Sequence, residues 1–263
     1  MVKNTSYFTF IIVCFSLIFS IGCNKIDYPN DIIILGKGGM GDANSYPMNS
    51  RISYFGALNY NLDGVEIDVQ LTNDGQLIAF HNSELQLMTN LNGVIYDYTW
   101  DSLKENAQFI NQKYKEYKLI SVDEIIDIFP NNAFFSLDLK INNPNNDPDY
   151  YDKLLGAIGL LYSKTNRFAV ENMNVSFLNQ LKSLFPELIV YLGSVNPEED
   201  IQVAIDNNFD GIVIPDNLAN AAIIEKAKLH HITATIWQRT KNIQALIELQ
   251  ADIIQVNDVS KFK

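Results

Sequence analysis

GVEIDVQLTNDGQLIAFH, residues 64–81, is the stretch on which the fold turns. Asn73-Asp74-Gly75 separates two alternating runs, which is the pattern of a β-hairpin. In the first run Val65, Ile67 and Val69 share one face while Glu66 and Asp68 share the other, because successive side chains of a strand point to opposite sides. A strand that carries two carboxylates on one face near its end suits a barrel whose chemistry lies at one rim. The second strand is therefore expected to run past the barrel and fold back, returning His81 to about the level of Asp68.

Outward from this hairpin, apolar strand-like runs occur at 31–36, 63–69, 133–139, 167–171, 187–192, 210–214, 232–237 and 252–256. Between most of them lie amphipathic stretches such as NLANAAIIEKAKLHH (217–231) and TKNIQALIELQ (240–250). Recurring strand, helix, strand implies a parallel sheet, and eight such units close into a TIM-type β/α barrel. The expected fold is α/β: an eight-stranded barrel with a β-hairpin insertion after strand 2. More than sixty residues separate the second strand from the third. Within them Ser121-Val122-Asp123-Glu124 opens a helix with a capping-box pattern, so the insertion is structured. No repeat, Pro/Gly/Ser-rich linker or low-complexity run divides residues 31–263, and 263 residues with 47% apolar content suit one substantial core.

The formal net charge is −12 and the sequence pI is near 4.6. That balance argues against a nucleic-acid partner, since no surplus of Lys and Arg exists to replace the counterions of a polyphosphate. The chain starts with a positive residue, Lys3, and an unbroken apolar run from Tyr7 to Phe15 that continues to Gly22 with only Ser16 and Ser20 interrupting. This is short for a bilayer span and reads as an export signal. Ser20-Ile21-Gly22-Cys23 resembles a bacterial lipobox, with Ser20 where Leu is usual. Residues 1–22 are then a signal peptide and 23–30 a lipidated tether. The product is an exported, membrane-anchored lipoprotein on a periplasmic or cell-surface face. Cys14 and Cys23 are the only cysteines, which leaves residues 31–263 with no disulfide or thiol chemistry.

Active sites of β/α barrels lie at the C-terminal ends of the strands. There Glu66 and Asp68 of strand two face the mouth. On strand three Ser136, Asp138 and Lys140 alternate with Phe135, Leu137 and Leu139, bringing a third carboxylate and an ammonium to the same rim. Any one of these charges alone reads as a solvated rim residue, but four groups converging from separate elements do not. Three carboxylates without cysteine suit a hard divalent cation, Ca²⁺ or Mg²⁺, rather than zinc. His81 is the histidine available for proton transfer at that mouth. His230 and His231 precede strand seven and belong to the opposite rim.

ILGKGGMGDANSYPMNSR, residues 34–51, carries Gly36, Gly38 and Gly41 at G-x-G-x-x-G spacing. A dinucleotide loop opens its helix at the third glycine, whereas residues 42–47 intervene here before any helical pattern, so that reading is rejected. The glycines are expected instead to let the backbone approach a phosphate, with Lys37 supplying a positive charge.

GVEIDVQLTNDGQLIAFHNSELQLMTNLNGVIYDYTW, residues 64–100, closely resembles the signature region of glycerophosphodiester phosphodiesterases, whose pattern runs E-x-D-V-q-l-T-x-D-G-x-x-V-x-x-H-D. Glu66, Asp68 and His81 fit it directly, Asp138 and Lys140 in SLDLK fit an acidic-x-Lys strand, and ATIWQ around Trp237 fits a late aromatic strand. The resemblance implies an eight-stranded barrel, a divalent metal on Glu66, Asp68 and Asp138, and hydrolysis of a glycerol phosphodiester with two catalytic histidines. It implies catalytic roles for His81, Lys37 and Lys140, and substrate binding at Gly38, Gly39 and Trp237. The chain departs from the family where His-Arg-Gly and Glu-Asn-Thr should stand: Lys37-Gly38-Gly39 overlies the first and Met48-Asn49-Ser50 the second. Two expectations follow. The protein is either a hydrolase with an impaired acid/base pair, or an inactive lipoprotein that binds small glycerophosphodiesters or phospholipid headgroups.

Overall fold

The computed structural model describes residues 26, 28, 29, 31–43 and 46–262. Residues 1–22 and Cys23, the expected signal peptide and lipid site, lie outside the described residues. Eight parallel strands form a closed barrel: β1 (Ile33–Lys37), β2 (Gly64–Leu71), β4 (Phe134–Leu139), β5 (Phe168–Asn172), β6 (Ile189–Gly193), β7 (Gly211–Pro215), β8 (Thr233–Trp237) and β9 (Ile253–Val256). Each pairs in parallel with the next, and β1 closes the ring by pairing with both β2 and β9. All eight coincide with the runs seen in the sequence, their ends shifted by one or two residues. The ninth strand, β3 (Leu77–Ala79), is the expected hairpin arm and pairs antiparallel with β2 through Val69↔Ala79. Its turn needs Gly75, whose φ of 85° lies in the left-handed region.

The helices around the barrel are α1 (Arg51–Ala57), α2 (Trp100–Asn106), α3 (Val122–Ile128), α4 (Tyr150–Lys164), α5 (Val175–Leu184), α6 (Pro197–Asp206), α7 (Ala221–Leu229) and α8 (Ile243–Ile247). Their apolar stripes face the sheet. In α4 the buried residues Tyr150, Leu154, Ile158 and Leu161 recur at helical spacing, each worth about 1.5–3 kcal/mol of burial for a large side chain. The capping box of α3 forms as expected, with Ser121 Oγ accepting from Glu124 N at 3.2 Å and Glu124 Oε2 from Ser121 N at 3.3 Å. Residues between β3 and α3 make a satellite core of their own, in which Phe80, Leu85, Trp100 and Phe109 pack together.

Outward-facing strand residues such as Ile34, Ile67, Leu137 and Val170 join the main core under the helices. The barrel interior is filled by a smaller set including Leu35, Ala169, Tyr191, Val213 and Ile253. One device recurs at the N-terminal pole. An aspartate just before β2, β7 or β9 accepts the amide hydrogen near the start of the preceding barrel strand: Asp63 from Ile34, Asp210 from Val190 and Asp252 from Ala234, each at 2.8 Å. The chain enters at this same pole. Tyr28 donates its hydroxyl to Asp63 at 3.4 Å and packs edge-on against Phe262 at 5.7 Å, while Ile26 N donates to Lys261 O at 3.2 Å.

Candidate active site at the barrel mouth

At the opposite, C-terminal pole, register decides which side chains meet. Lys37 lies beside Glu66, Glu66 beside Ser136, Asp68 beside Asp138, and Asp138 beside Glu171. The strand alternation read from sequence therefore brings Glu66, Asp68 and Asp138 together, with ligand oxygens all within 4.8 Å of one another. They line a chamber of about 800 Å³ together with Lys37, His81, Lys140 and Trp237. The seven expected side chains are thus in one place. Gly38 and Gly39 are buried and do not line it. Their contacts are internal: Gly38 N donates to Glu66 Oε2 at 2.9 Å, and a Cβ on Gly39 would lie 2.7 Å from Ser53 Oγ. Ser53 in turn donates to Gly38 O and accepts from Met40 N, both at 2.8 Å. The glycines let the β1–α1 loop fold tightly enough to brace a carboxylate.

Glu66 and Asp68 are 2% and 1% exposed, so their charges are poorly hydrated. Burial raises the Glu66 pKa well above the usual carboxylate range, and the neighbouring charges of Asp68, Asp138 and Glu171 add to the rise. Burial also raises Asp138, against the pull of Lys140. The Lys140 ammonium lies 3.0 Å from Asp68 Oδ1 and 2.5 Å from Asp138 Oδ2. Burial works against that ammonium, yet the two carboxylates outweigh it and hold its pKa above the lysine range. One ammonium against three carboxylates leaves the cluster short of positive charge. The donor set, all oxygen and tightly spaced, fits a hard divalent cation.

The hairpin holds His81 in place from behind. Phe80 N donates to Asp68 O at 2.8 Å, and the buried Gln70 amide donates to Phe80 O at 2.9 Å and to Asn82 O at 2.7 Å, clamping the backbone on both sides of the exposed His81. Across the chamber, Trp237 ends β8. Lys37 Nζ stands 4.9 Å from its ring centroid and the Arg239 guanidinium carbon 5.0 Å, within cation–π range. Arg239 is placed by Asp216, whose Oδ2 accepts from the amides of Arg239, Thr240 and Lys241 at 2.7–2.8 Å. His230 and His231 sit at the end of α7, on the opposite side of the barrel as expected.

Four functional neighbours were missed in the sequence. Asn49, at φ 60°, donates to Asp68 Oδ2 at 2.6 Å and accepts from Asp68 N at 3.2 Å, while Tyr54 donates to its carbonyl at 2.7 Å. Glu171, Ser136 and Gln255 form a buried trio in which both partners donate to the carboxylate, Gln255 Nε2 at 2.5 Å. Burial first, then the charge of Asp138, pushes Glu171 up to about 8. Asn49 could have been found from the Met48-Asn49-Ser50 register, and Glu171 from its alternation with Ala169 in an otherwise apolar strand.

Comparison with known proteins agrees with this architecture. The profile of the glycerophosphoryl diester phosphodiesterase family matches residues 40–246. A glycerophosphodiester phosphodiesterase of Bacillus altitudinis is 31% identical over 102 residues, 38% of this chain and 41% of that protein. One of Caldanaerobacter subterraneus is 26% identical over 155 residues, 58% and 63% of the two chains. The matched segments thus span less than two thirds of either relative. Among solved structures, a putative glycerophosphodiester phosphodiesterase from Galdieria sulphuraria superposes with a TM-score of 0.74 at 18% identity, covering 88% of this chain and 96% of that one. An Oleispira antarctica phosphodiesterase, solved with the product sn-glycerol-3-phosphate, gives 0.70 at 18% identity, covering 89% and 95%. At such identities the structures establish the shared barrel. With the family profile matching well over half its length, the chain belongs to the glycerophosphoryl diester phosphodiesterase family.

Proposed function

We propose that this protein hydrolyses glycerophosphodiesters, using a divalent cation, Ca²⁺ or Mg²⁺, held by Glu66, Asp68 and Asp138. The observation that carries the reading is the convergence of those three carboxylates in a chamber that also presents His81, Lys37 and Lys140. Family membership and a structural relative solved with sn-glycerol-3-phosphate support it. A bound cation supplies charge stabilisation as negative charge builds on the phosphoryl oxygens. Lys140, fixed between Asp68 and Asp138, and Lys37, over Trp237, offer cations to those oxygens from two sides of the mouth. His81 is the proton carrier. Lys37 stands where the family pattern has a histidine, and a charged ammonium offers three donors and no acceptor. One half of the acid/base pair is therefore weakened.

The test is hydrolysis of glycerophosphocholine and glycerophosphoethanolamine by the full chain at saturating metal. Wild type should turn over slowly, His81→Ala should lose a further factor on the order of 10²–10⁴, and Lys37→His should gain. An ordinary wild-type rate that Lys37→His lowers would make Lys37 a working catalytic residue. The second reading, a binding lipoprotein, rests on the same lysine. It stands if no variant hydrolyses either diester while both still raise the melting temperature.

Export and lipidation at Cys23 belong to the same proposal, supported by the apolar run ending in Ser20-Ile21-Gly22-Cys23. Mass spectrometry of the mature N-terminus should find a diacylglyceryl group on Cys23. A free thiol there, or cleavage elsewhere, overturns it.

A further inference from the structure

Beside His81 the mouth opens into a second, apolar space. An inner cleft of about 240 Å³ shares His81 with the main chamber and is walled by Tyr46, Met48, Phe80, Met88 and Phe109. It continues into an outer cleft of about 320 Å³ through three of the same residues, Tyr46, Met88 and Phe109. Leu87 and Ile110, 51% and 53% exposed, lie along the outer part with Tyr114. The wall is stiffened by a ladder of rings, Tyr46 edge-on to Tyr117 at 6.2 Å and Tyr117 stacked on Tyr114 at 5.9 Å. The outer cleft alone is of the size that takes small ligands.

A glycerophosphodiester headgroup has no use for such a path, because its alcohol groups are polar. Exposed leucine and isoleucine beside soft methionines make a surface suited to a flexible hydrocarbon. Two features make the cleft part of the site. His81 borders both spaces, and Met48 occupies the position where the family pattern carries a glutamate, replacing an acid by a thioether on the cleft wall. Apart from His81, the one titratable acid lining the inner cleft is Asp42, which disfavours a second anionic group there.

We propose that the cleft holds a long hydrocarbon arm of the substrate, so that the preferred substrate class is a phosphodiester carrying one acyl or alkyl chain, of the lysophospholipid type. The inference rests on the hydrolytic reading above and deepens it. The bond broken is a phosphorus–oxygen ester bond: water adds its hydroxyl to phosphorus, the departing alcohol oxygen takes the proton, and a phosphomonoester and an alcohol result. The chain of the substrate runs from the phosphate past His81, over Met48 and Met88, to Leu87 and Ile110.

The experiment compares the full chain acting on glycerophosphocholine and on 1-acyl-lysophosphatidylcholines of increasing chain length, all below their micelle concentrations. Binding of alkylphosphocholines of the same lengths is measured in parallel by calorimetry. Each added methylene should tighten binding about two- to fourfold until the cleft is full. Leu87→Asp and Ile110→Asp, both at exposed positions, should flatten that dependence and leave glycerophosphocholine turnover unchanged. Val195→Asp, at the far rim of the main chamber where the side chain is 69% exposed, should leave it intact. If glycerophosphocholine is hydrolysed and chain length has no effect on either KM or binding, the apolar arm is refuted while the hydrolytic reading stands. If Val195→Asp rather than Leu87→Asp abolishes the dependence, the cleft assignment is wrong. If nothing is hydrolysed yet alkylphosphocholine binding follows chain length and is lost in Leu87→Asp, the cleft is supported and the hydrolytic reading falls.

Discussion

Asp68→Asn is expected to abolish most of the rise in melting temperature that Ca²⁺ or Mg²⁺ gives the wild type, and to cost at least about 10²–10³ in turnover. A cation at a hundred times its dissociation constant stabilises the native state by about 2.7 kcal/mol. In a domain of this size that is a shift of roughly 5–10 °C. Asp68 is the most enclosed of the three carboxylates, 1% exposed and bonded to both Lys140 and Asn49. Asparagine keeps the shape and an acceptor but not the charge. Lys140 retains Asp138, so the metal-free variant should melt within a few degrees of the metal-free wild type, which separates loss of the ion from loss of the fold. Scanning calorimetry with and without each cation decides the matter, and equal responses in wild type and variant would move the ion elsewhere.

The second large effect concerns Glu171. Its folded pKa is pushed up to about 8 by burial and by Asp138, against about 4.5 for an ordinary glutamate. The folded protein therefore binds this proton more tightly than the unfolded chain. The stability so gained is fully present below pH 4.5 and is lost as pH rises towards 8. Metal-free protein should become less stable across that window, by about 2–4 kcal/mol on the strength of the shift. Glu171→Gln keeps an acceptor for Ser136 and Gln255 and removes the titration. In chelator the variant should melt several degrees above wild type at pH 8 and close to it at pH 5. Parallel stability–pH curves for the two proteins would show that Glu171 does not titrate in the window.

The difference between what was legible in the sequence and what was not follows from how each feature is encoded. Strand alternation is local, so Val65, Ile67 and Val69 on one face announced Glu66 and Asp68 on the other, and the same logic reached Asp138 and Lys140. His81 followed from counting back across the Asn73-Asp74-Gly75 turn. Asn49 did not, because its contact with Asp68 depends on a left-handed backbone in a loop whose path no periodicity encodes. Arg239 lies just past a strand end, and only the Asp216 cradle turns it towards Trp237. The glycines of residues 36–41 were legible as a site of tight backbone packing, but sequence could not say that the close neighbour is Glu66 and Ser53. The apolar cleft was invisible for the same reason: it exists where the β1–α1 loop meets the insertion, two segments with no shared pattern.

The chain's entry at the N-terminal pole, where Ile26 bonds to Lys261 and Tyr28 to Asp63, bears on which way the enzyme faces. Only three residue steps separate Cys23 from Ile26, a reach of at most about 11 Å. A lipid on Cys23 would therefore hold the barrel by its base, with the opening turned outward from the bilayer that anchors it. A protein mounted this way gathers dissolved molecules arriving from the surrounding medium rather than lipids embedded in its own leaflet, and acts as an outward-looking scavenger.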